Sequence, residues 1–362
     1  MRRGDEGGLK PPSRRSLLAG LLGATATLSL IAIAALVWIW SSYLGPGPAA
    51  AEGEATTVIL PSGSSVDAIG AALHEAGVIR SPDMFRAAVT LTGSDRSLRA
   101  GEYRIESRAS LRAVVRKLTS GQVVRHFVTL PEGRSSAQAV DILNANPILV
   151  GEVEVPPEGS LWPETYEVTR GETRASVVAR MQRARDEALA ELWATRAPGL
   201  PIRTPEEAVI LASIVEKETG LDGERGRVAG VFINRLNRGM RLESDPTIVY
   251  GITGGRPLGR GIRLSELQRP TPYNTYLIPR LPPTPIANPG RQALEAVLNP
   301  PRTEDLFFVA DGTGGHAFAR TFDEHLANVA RWRGIEREQA RAIRAQLEAE
   351  AAAGDESQET RP

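Results

Sequence analysis

No cysteine occurs in the 362 residues, which removes disulfides, thiol nucleophiles and thiolate metal sites together. Histidine is nearly as scarce. The four present, His74, His126, His316 and His325, are scattered and lack the paired spacing that zinc or iron ligands adopt, so neither a metal nor another cofactor is expected. A charge imbalance is missing too: Lys+Arg and Asp+Glu number 43 each. There is no basic surplus for nucleic acid to exploit and no acidic surplus that would favour disorder. Between Arg15 and Glu52 charge is absent altogether.

That uncharged stretch is the strongest compositional event in the chain. Its apolar part, Leu17 to Trp40, is long enough as a helix to cross a hydrocarbon core of about 30 Å. Trp38 and Trp40 suit the aromatic belt at one membrane face. Two readings compete, an uncleaved anchor and a cleaved signal peptide. The apolar run exceeds a usual signal core, and the small residues Ala49-Ala50-Ala51 lie well beyond it, which favours the anchor. A transmembrane helix is therefore expected over 16–43. Arg2, Arg3, Lys10, Arg14 and Arg15 outweigh Asp5 and Glu6 before it, placing residues 1–15 in the cytoplasm and the rest of the chain outside.

Gly45-Pro46-Gly47-Pro48 and the small residues after it read as a linker over 44–55. An α+β module is expected over 56–150. It opens on the strand Val58-Ile59-Leu60, a Pro61-Ser62-Gly63 turn and the serines Ser64 and Ser65 before a helix carrying Val66, Ile69 and Leu73. The phrase returns as Val128-Thr129-Leu130, Pro131-Glu132-Gly133 and Ser135-Ser136 before Ala139, Val140 and Leu143, so one small unit is used twice. Between them lie a strand at 101–105 and a helix from Ser110 to about Leu118. A second domain, 151–330, is helical to about Asn237, then rich in Pro and Gly loops, with a buried strand at Leu306–Ala310. Residues 331–362 form a charged tail, read as a helix that ends in disorder at Gly354.

One helix gathers the chemistry. Thr204, Pro205 and Glu207 form a capping box with proline at the first helical position. Ala208 to Val215 follow, apolar around nearly the whole circumference, and Gly220 is the expected stop. Glu216, Lys217 and Glu218 occupy the last turn, where the helix dipole disfavours negative charge. Burial and dipole together raise a carboxyl pKa, which suits a general acid. Residues 216 and 218 are about 200° apart on the helix, so only one can enter a given cleft. Glu218 shares the face of Leu211 and Ile214 and is the favoured one, with Glu216 facing solvent or a partner such as Arg225. A solvated charged helix end is the competing reading.

The run Ala212-Ser213-Ile214-Val215-Glu216-Lys217-Glu218-Thr219, then Val231-Phe232-Ile233-Asn234-Arg235-Leu236 and Ser244-Asp245-Pro246-Thr247 with Tyr250-Gly251, closely resembles the endolytic murein transglycosylase (YceG-like) family. Further matches lie at Pro272–Tyr276, Leu281-Pro282-Pro283, Ile286–Gly290, Phe308–Gly312 and Gly315–Phe318. The resemblance implies a single-pass inner-membrane protein with a cytoplasmic N-terminus. It also implies a LysM-like peptidoglycan-binding module followed by a mixed helical and strand catalytic domain in the periplasm. The second Glu of the Glu-Lys-Glu motif is catalytic in that family, which falls on Glu218. The implied reaction cuts the MurNAc-GlcNAc β-1,4 bond of uncrosslinked glycan and leaves 1,6-anhydro-MurNAc ends, limiting strand length near the cell-wall synthases. A glycan hydrolase using Asp245 or Glu243 as second carboxylate and a noncatalytic peptidoglycan-binding scaffold are the alternatives.

The remaining candidates carry two readings each. Asn234 and Arg235 lie on a helix with the apolar stripe Val228, Val231, Phe232 and Leu236, stopped by Gly239. They are candidates to bind a sugar N-acetyl or lactyl carboxylate, or else to fix a loop. Asp245-Pro246-Thr247 reads as a turn, or as a cleft wall that orients Glu218. Tyr273, Asn274, Thr275 and Tyr276 offer stacking faces and hydrogen bonds suited to saccharides. His316 is a cleft-lining or a structural histidine. The Asp311–Gly315 run lacks a phosphate-loop continuation and reads as a hairpin turn.

Overall fold

The computed structural model describes residues 14–359 and is mixed α and β. It divides into two compact units, 1–125 and 126–362. The basic residues Arg2, Arg3 and Lys10, on which the expected orientation rests, lie outside the described residues.

The first unit begins with α1 (Arg14–Leu44). Its stretch Thr25–Leu44 has mean hydropathy 1.8 and none of it is buried; Trp38 and Trp40 stay 61% and 67% exposed. A helix so apolar and so uncovered is long enough to cross a membrane. After it come β1 (Ala55–Leu60), α2 (Val66–Glu75), α3 (Pro82–Leu91), β2 (Gly101–Glu106) and α4 (Leu111–Ser120). β1 and β2 pair antiparallel from Ala55↔Glu106 to Leu60↔Gly101. Strand alternation turns Val58, Leu60, Tyr103 and Ile105 inward, where they meet Leu73, Phe85, Val89, Val114 and Leu118. Ser65, Ser81 and Ser110 cap the three helices, and Gly121 ends α4 in the left-handed conformation at φ 68°.

The second unit starts at β3 (His126–Thr129), which pairs with β4 (Thr165–Val168). Residues 126–150, expected in the first module, therefore belong here. β3, α5 (Ser136–Ala145) and the first half of α6 (Arg174–Ala194) share one core of Val128, Leu143, Leu161, Val177 and Met181. The repeated turn phrase is real as local structure, since Ser135 caps α5 as Ser65 caps α2. Strand pairing, a long-range choice, sends the two copies to different units.

The larger core lies around α7 (Pro205–Glu218), α8 (Asp222–Asn237) and α11 (Arg291–Leu298). Leu211, Ile214, Val215, Val228, Phe232, Leu294 and Val297 fill it. The short helices α9 (Asp245–Thr253) and α10 (Leu264–Leu267) punctuate the loops. β5 (Phe307–Ala310) and β6 (His316–Ala319) form a hairpin, and Gly312 and Gly314 take φ of 89° and 96° in its turn, as a hairpin reading requires. The strand is half-buried rather than buried, because it has one partner and covers α8 edge-on through Phe308 against Phe232. α12 (Phe322–Glu359) begins inside the expected catalytic domain, packs on the hairpin, and continues through Gly354 instead of ending there. Its Ala- and Glu-rich sequence is strongly helix-forming.

Candidate active site

Glu218 is the last residue of α7. The helix is not stopped by a left-handed glycine as expected: Thr219 goes straight into extended backbone at φ −141° and ψ 133°, and the positive-φ residues do not include Gly220. Nor is the capping box closed, since Glu207 accepts from Arg203 N at 2.7 Å rather than from Thr204. The helix start and end are where the residues indicated, but by different contacts.

Ser244 Oγ donates to Glu218 Oε1 at 2.5 Å. Ser244 occupies the N-cap position of α9 yet makes no capping hydrogen bond; its hydroxyl is diverted to the carboxyl. Asp245-Pro246-Thr247 is accordingly the first turn of a helix and not an isolated turn. Three threonine contacts hold the serine. Thr275 Oγ1 accepts from Ser244 N at 2.9 Å, Thr247 Oγ1 donates to Ser244 O at 2.7 Å, and the two threonine hydroxyls are 2.9 Å apart. Both threonines are fully buried. Glu243 just before takes φ 55°, a left-handed conformation costly for a side chain of its size, and the surrounding bonds maintain it.

Burial raises the Glu218 carboxyl from 4.5 to about 7. The Ser244 hydrogen bond opposes that rise, the neighbouring Asp245 charge adds to it, and Arg235 opposes it. Asp245 is itself oriented by Tyr276, whose hydroxyl donates to Oδ1 at 2.7 Å. Glu216 faces elsewhere, as its helical phase requires: it accepts from Gly290 N at 3.0 Å and lies 4.0 Å from Arg225. Burial raises its pKa as well.

Hydrogen bonds thus join Glu218, Ser244, Thr247 and Thr275 in one network, on which the Tyr276-held Asp245 and Arg235 act through charge. Arg235 is a buried clamp whose guanidinium donates to Leu306 O, Arg241 O and Leu242 O and pairs with Glu243 at 2.9 Å. Asn234 donates to Thr303 O and Asp305 O. Asn274 is buried and braces its own loop through Leu267 O, Arg269 O and Tyr276 N. Tyr273 packs 5.0 Å from Tyr250 and shares a hydrogen bond with Thr284. His316 joins Glu224 at 2.7 Å and stacks edge-on against Phe308, holding the hairpin to α8. Asn234 and Arg235 make the contacts of a loop-fixing role and His316 those of a structural histidine, while Tyr273 and Asn274, expected to contact saccharide, direct their polar groups to Thr284 and to their own loop.

Asp245 and Lys217, but not Glu218 itself, line a cavity of about 430 Å³, a size that takes a small ligand. Lys217, Asp245, Val249 and Tyr250 line one side, Gly133, Arg134 and Gln138 another. Sequence reasoning missed Ser244 as the partner of Glu218, although a serine ahead of Asp-Pro is a helix-cap signal. It also missed the loop 131–136, assigned to the wrong unit. That loop is pinned by Asn288, which exchanges backbone bonds with Gly133 and Arg134 and sends Nδ2 to Arg134 O. Glu158 completes the pin, accepting from Ser136 N at 2.7 Å and from the Tyr250 hydroxyl at 3.2 Å. Among the described residues no cluster of His, Asp and Glu is arranged to hold a metal.

Residues 58–331 match the model of the YceG-like family, and the chain belongs to that family. A protein of Bacillus subtilis named endolytic murein transglycosylase is 29% identical over 298 residues, covering 74% of this chain and 81% of its own. One of the same name from Streptococcus pneumoniae serotype 2 is 29% identical over 324 residues, 76% of this chain and 58% of the relative. The crystal structure of a yceG-like protein from Listeria monocytogenes aligns at TM-score 0.49 and 27% identity, over 76% of this chain and 98% of that one.

Proposed function

We propose that the chain is an endolytic lytic transglycosylase that cuts the MurNAc-GlcNAc β-1,4 bonds of murein and leaves 1,6-anhydro-MurNAc ends. The observation that carries this reading is a buried carboxyl held near pKa 7, flanked by Lys217 and in charge contact with Asp245, both of which line the cavity. Near neutrality Glu218 can give a proton and then take one back. Its proton passes to the glycosidic oxygen, the C1–O bond breaks and the GlcNAc 4-hydroxyl leaves. The muramyl C6 hydroxyl closes on C1 and its proton returns to the Glu218 carboxylate. No water is consumed and the carboxyl is regenerated. An intramolecular hydroxyl of high effective molarity replaces the second carboxylate that ordinary glycosidases use.

Ser244, set by Thr247 and Thr275, orients the carboxyl and hydrogen-bonds its ionised form; the negative charge of Asp245, set by Tyr276, opposes ionisation of Glu218 and favours its protonated form. Both candidate second carboxylates are engaged, Glu243 by Arg235 and Asp245 by Tyr276. The relatives named endolytic murein transglycosylase support the substrate class. The exposed apolar α1 supports a single-pass inner-membrane anchor, and the basic residues before it support a cytoplasmic N-terminus with the chain after α1 in the periplasm. The β1-α2-α3-β2 order supports a LysM-like peptidoglycan-binding module. On this reading the enzyme limits the length of nascent strands beside the cell-wall synthases.

The test is the product. Uncrosslinked glycan incubated with the protein and analysed by mass spectrometry yields 1,6-anhydromuramyl ends. Reducing ends would make it a hydrolase, and intact strands a binding scaffold.

A further inference from the structure

The cavity beside Glu218 carries three cationic side chains, Arg134, Lys217 and Arg256, and a neutral sugar chain uses none of them as counter-charge. Arg256 is already neutralised by Asp141 at 2.9 Å. Arg134 and Lys217 are in no salt bridge among the described residues. The acidic groups around them are occupied: Asp245 accepts from Tyr276, and Glu216 accepts from Gly290 N with Arg225 beside it. Glu132 is turned against Gly290.

The Arg134 backbone and the Lys217 ammonium are also held in place. The backbone of residue 134 is fixed twice through its carbonyl by the buried Asn288, while Gly133 N donates to Asn288 O. Lys217 Nζ donates to Gly133 O at 3.3 Å, which draws its ammonium to the same loop. The Arg134 guanidinium, on a loop with a fixed backbone, and the Lys217 ammonium, on the end of α7 and drawn to that loop, stand on the wall of one cavity, where they can share an anion.

We propose that Arg134 and Lys217 bind a carboxylate of the peptide stem borne by the muramyl residue being cut, so that the enzyme prefers stem-bearing strands. This rests on the transglycosylase reading above. The muramyl stem is the anionic part of such a strand, attached to the sugar whose C1 reacts. A positive wall therefore favours placing that sugar, and not its uncharged GlcNAc neighbour, over Glu218. It sets register along the glycan as well as affinity.

The test uses the full-length protein in detergent with two substrates, uncrosslinked strands carrying stems and the same strands with the stem carboxylates blocked as neutral methyl amides, which leaves the lactyl amide intact. The rate of anhydro-end formation gives kcat/KM on each. The wild type is expected to favour strands with free stem carboxylates about fivefold, the upper range for one partly screened ion pair. Arg134→Glu should bring the ratio to one or below, Lys217→Gln should reduce it, and Arg134→Lys should keep most of it. Raised ionic strength should shrink the wild-type ratio. Thermal melting verifies that the exposed substitutions leave the fold intact. A wild-type ratio of one, or variants that slow both substrates alike with the ratio preserved, overturns the stem site alone. Absence of anhydro ends from both substrates refutes the transglycosylase reading and this inference with it.

Discussion

The turns at 61–65 and 131–135 share a plan, strand, Pro-x-Gly turn, serine cap and helix, and their glycines take φ of 79° and 71°. Around Gly63 there is open space, whereas Gly133 packs against Glu216 and Lys217 at the functional end of α7. The first turn only joins a strand to a helix. The second is tied to Asn288 and Glu158 and lines the cavity beside Glu218. The same local chemistry is neutral connection in one place and part of a site in the other, and only the long-range partners differ.

That contrast is broken most severely at the acid. Glu218→Gln should lower turnover on murein by about 10²- to 10⁴-fold, the usual contribution of a positioned acid-base, while an equivalent change in the first unit leaves turnover intact; product mass spectrometry reads both. Next in size is pH. Activity that needs the protonated carboxyl should fall as pH rises through about 7. Ser244→Ala, which removes a bond favouring the charged form, should move that limb to higher pH.

Stability follows the same group with a definite sign. Because the folded pKa lies above the unfolded one, the unfolded chain loses its proton first, and the protein loses stability as pH rises from 4.5 to about 7. Glu218→Gln removes that loss. It should be more stable than the wild type above pH 7 by up to ~3 kcal/mol, at about 1.4 kcal/mol per pKa unit, and not at pH 4; denaturant melts at the two pH values measure it. Asn288→Ala should cost about 3 kcal/mol by stranding several buried partners of the second turn, and should slow cleavage too. Ser65→Ala, which unties only the cap of the first turn, should cost about 1 kcal/mol with cleavage unchanged. Equal effects of the last two on cleavage would erase the distinction between the turns.

Much of the fold was legible where one short stretch decides it. The apolar run of α1, the serine caps of α2 and α5, the buried circumference of α7 and the Asp311–Gly315 hairpin turn all declare themselves locally. The unit boundary was not legible, because β3 pairs with β4 across the intervening α5 and nothing within 126–150 specifies that partner. The site was legible in part for the same reason. Helical phase separates Glu216 from Glu218, and the structure agrees. Whether Asn234, Arg235 and Asn274 touch a substrate or brace a loop depends on which carbonyls lie opposite, and those come from residues far along the chain or from the loop's own path.

The sequence alone therefore determined which helix ends in a costly carboxylate, which segment is apolar enough for a membrane, and where most helices begin. These follow from periodicity, capping and the absence of charge, each acting over a few residues. Tertiary structure decided that a diverted cap serine meets Glu218, that Asp245 stands close enough to hold back its ionisation, and that a turn resembling one in the first unit walls the cavity. Hydrogen bonding and desolvation act through space over a few ångströms, and only the folded chain brings positions 218 and 244 within such a range and sets 134 and 245 on one cavity wall.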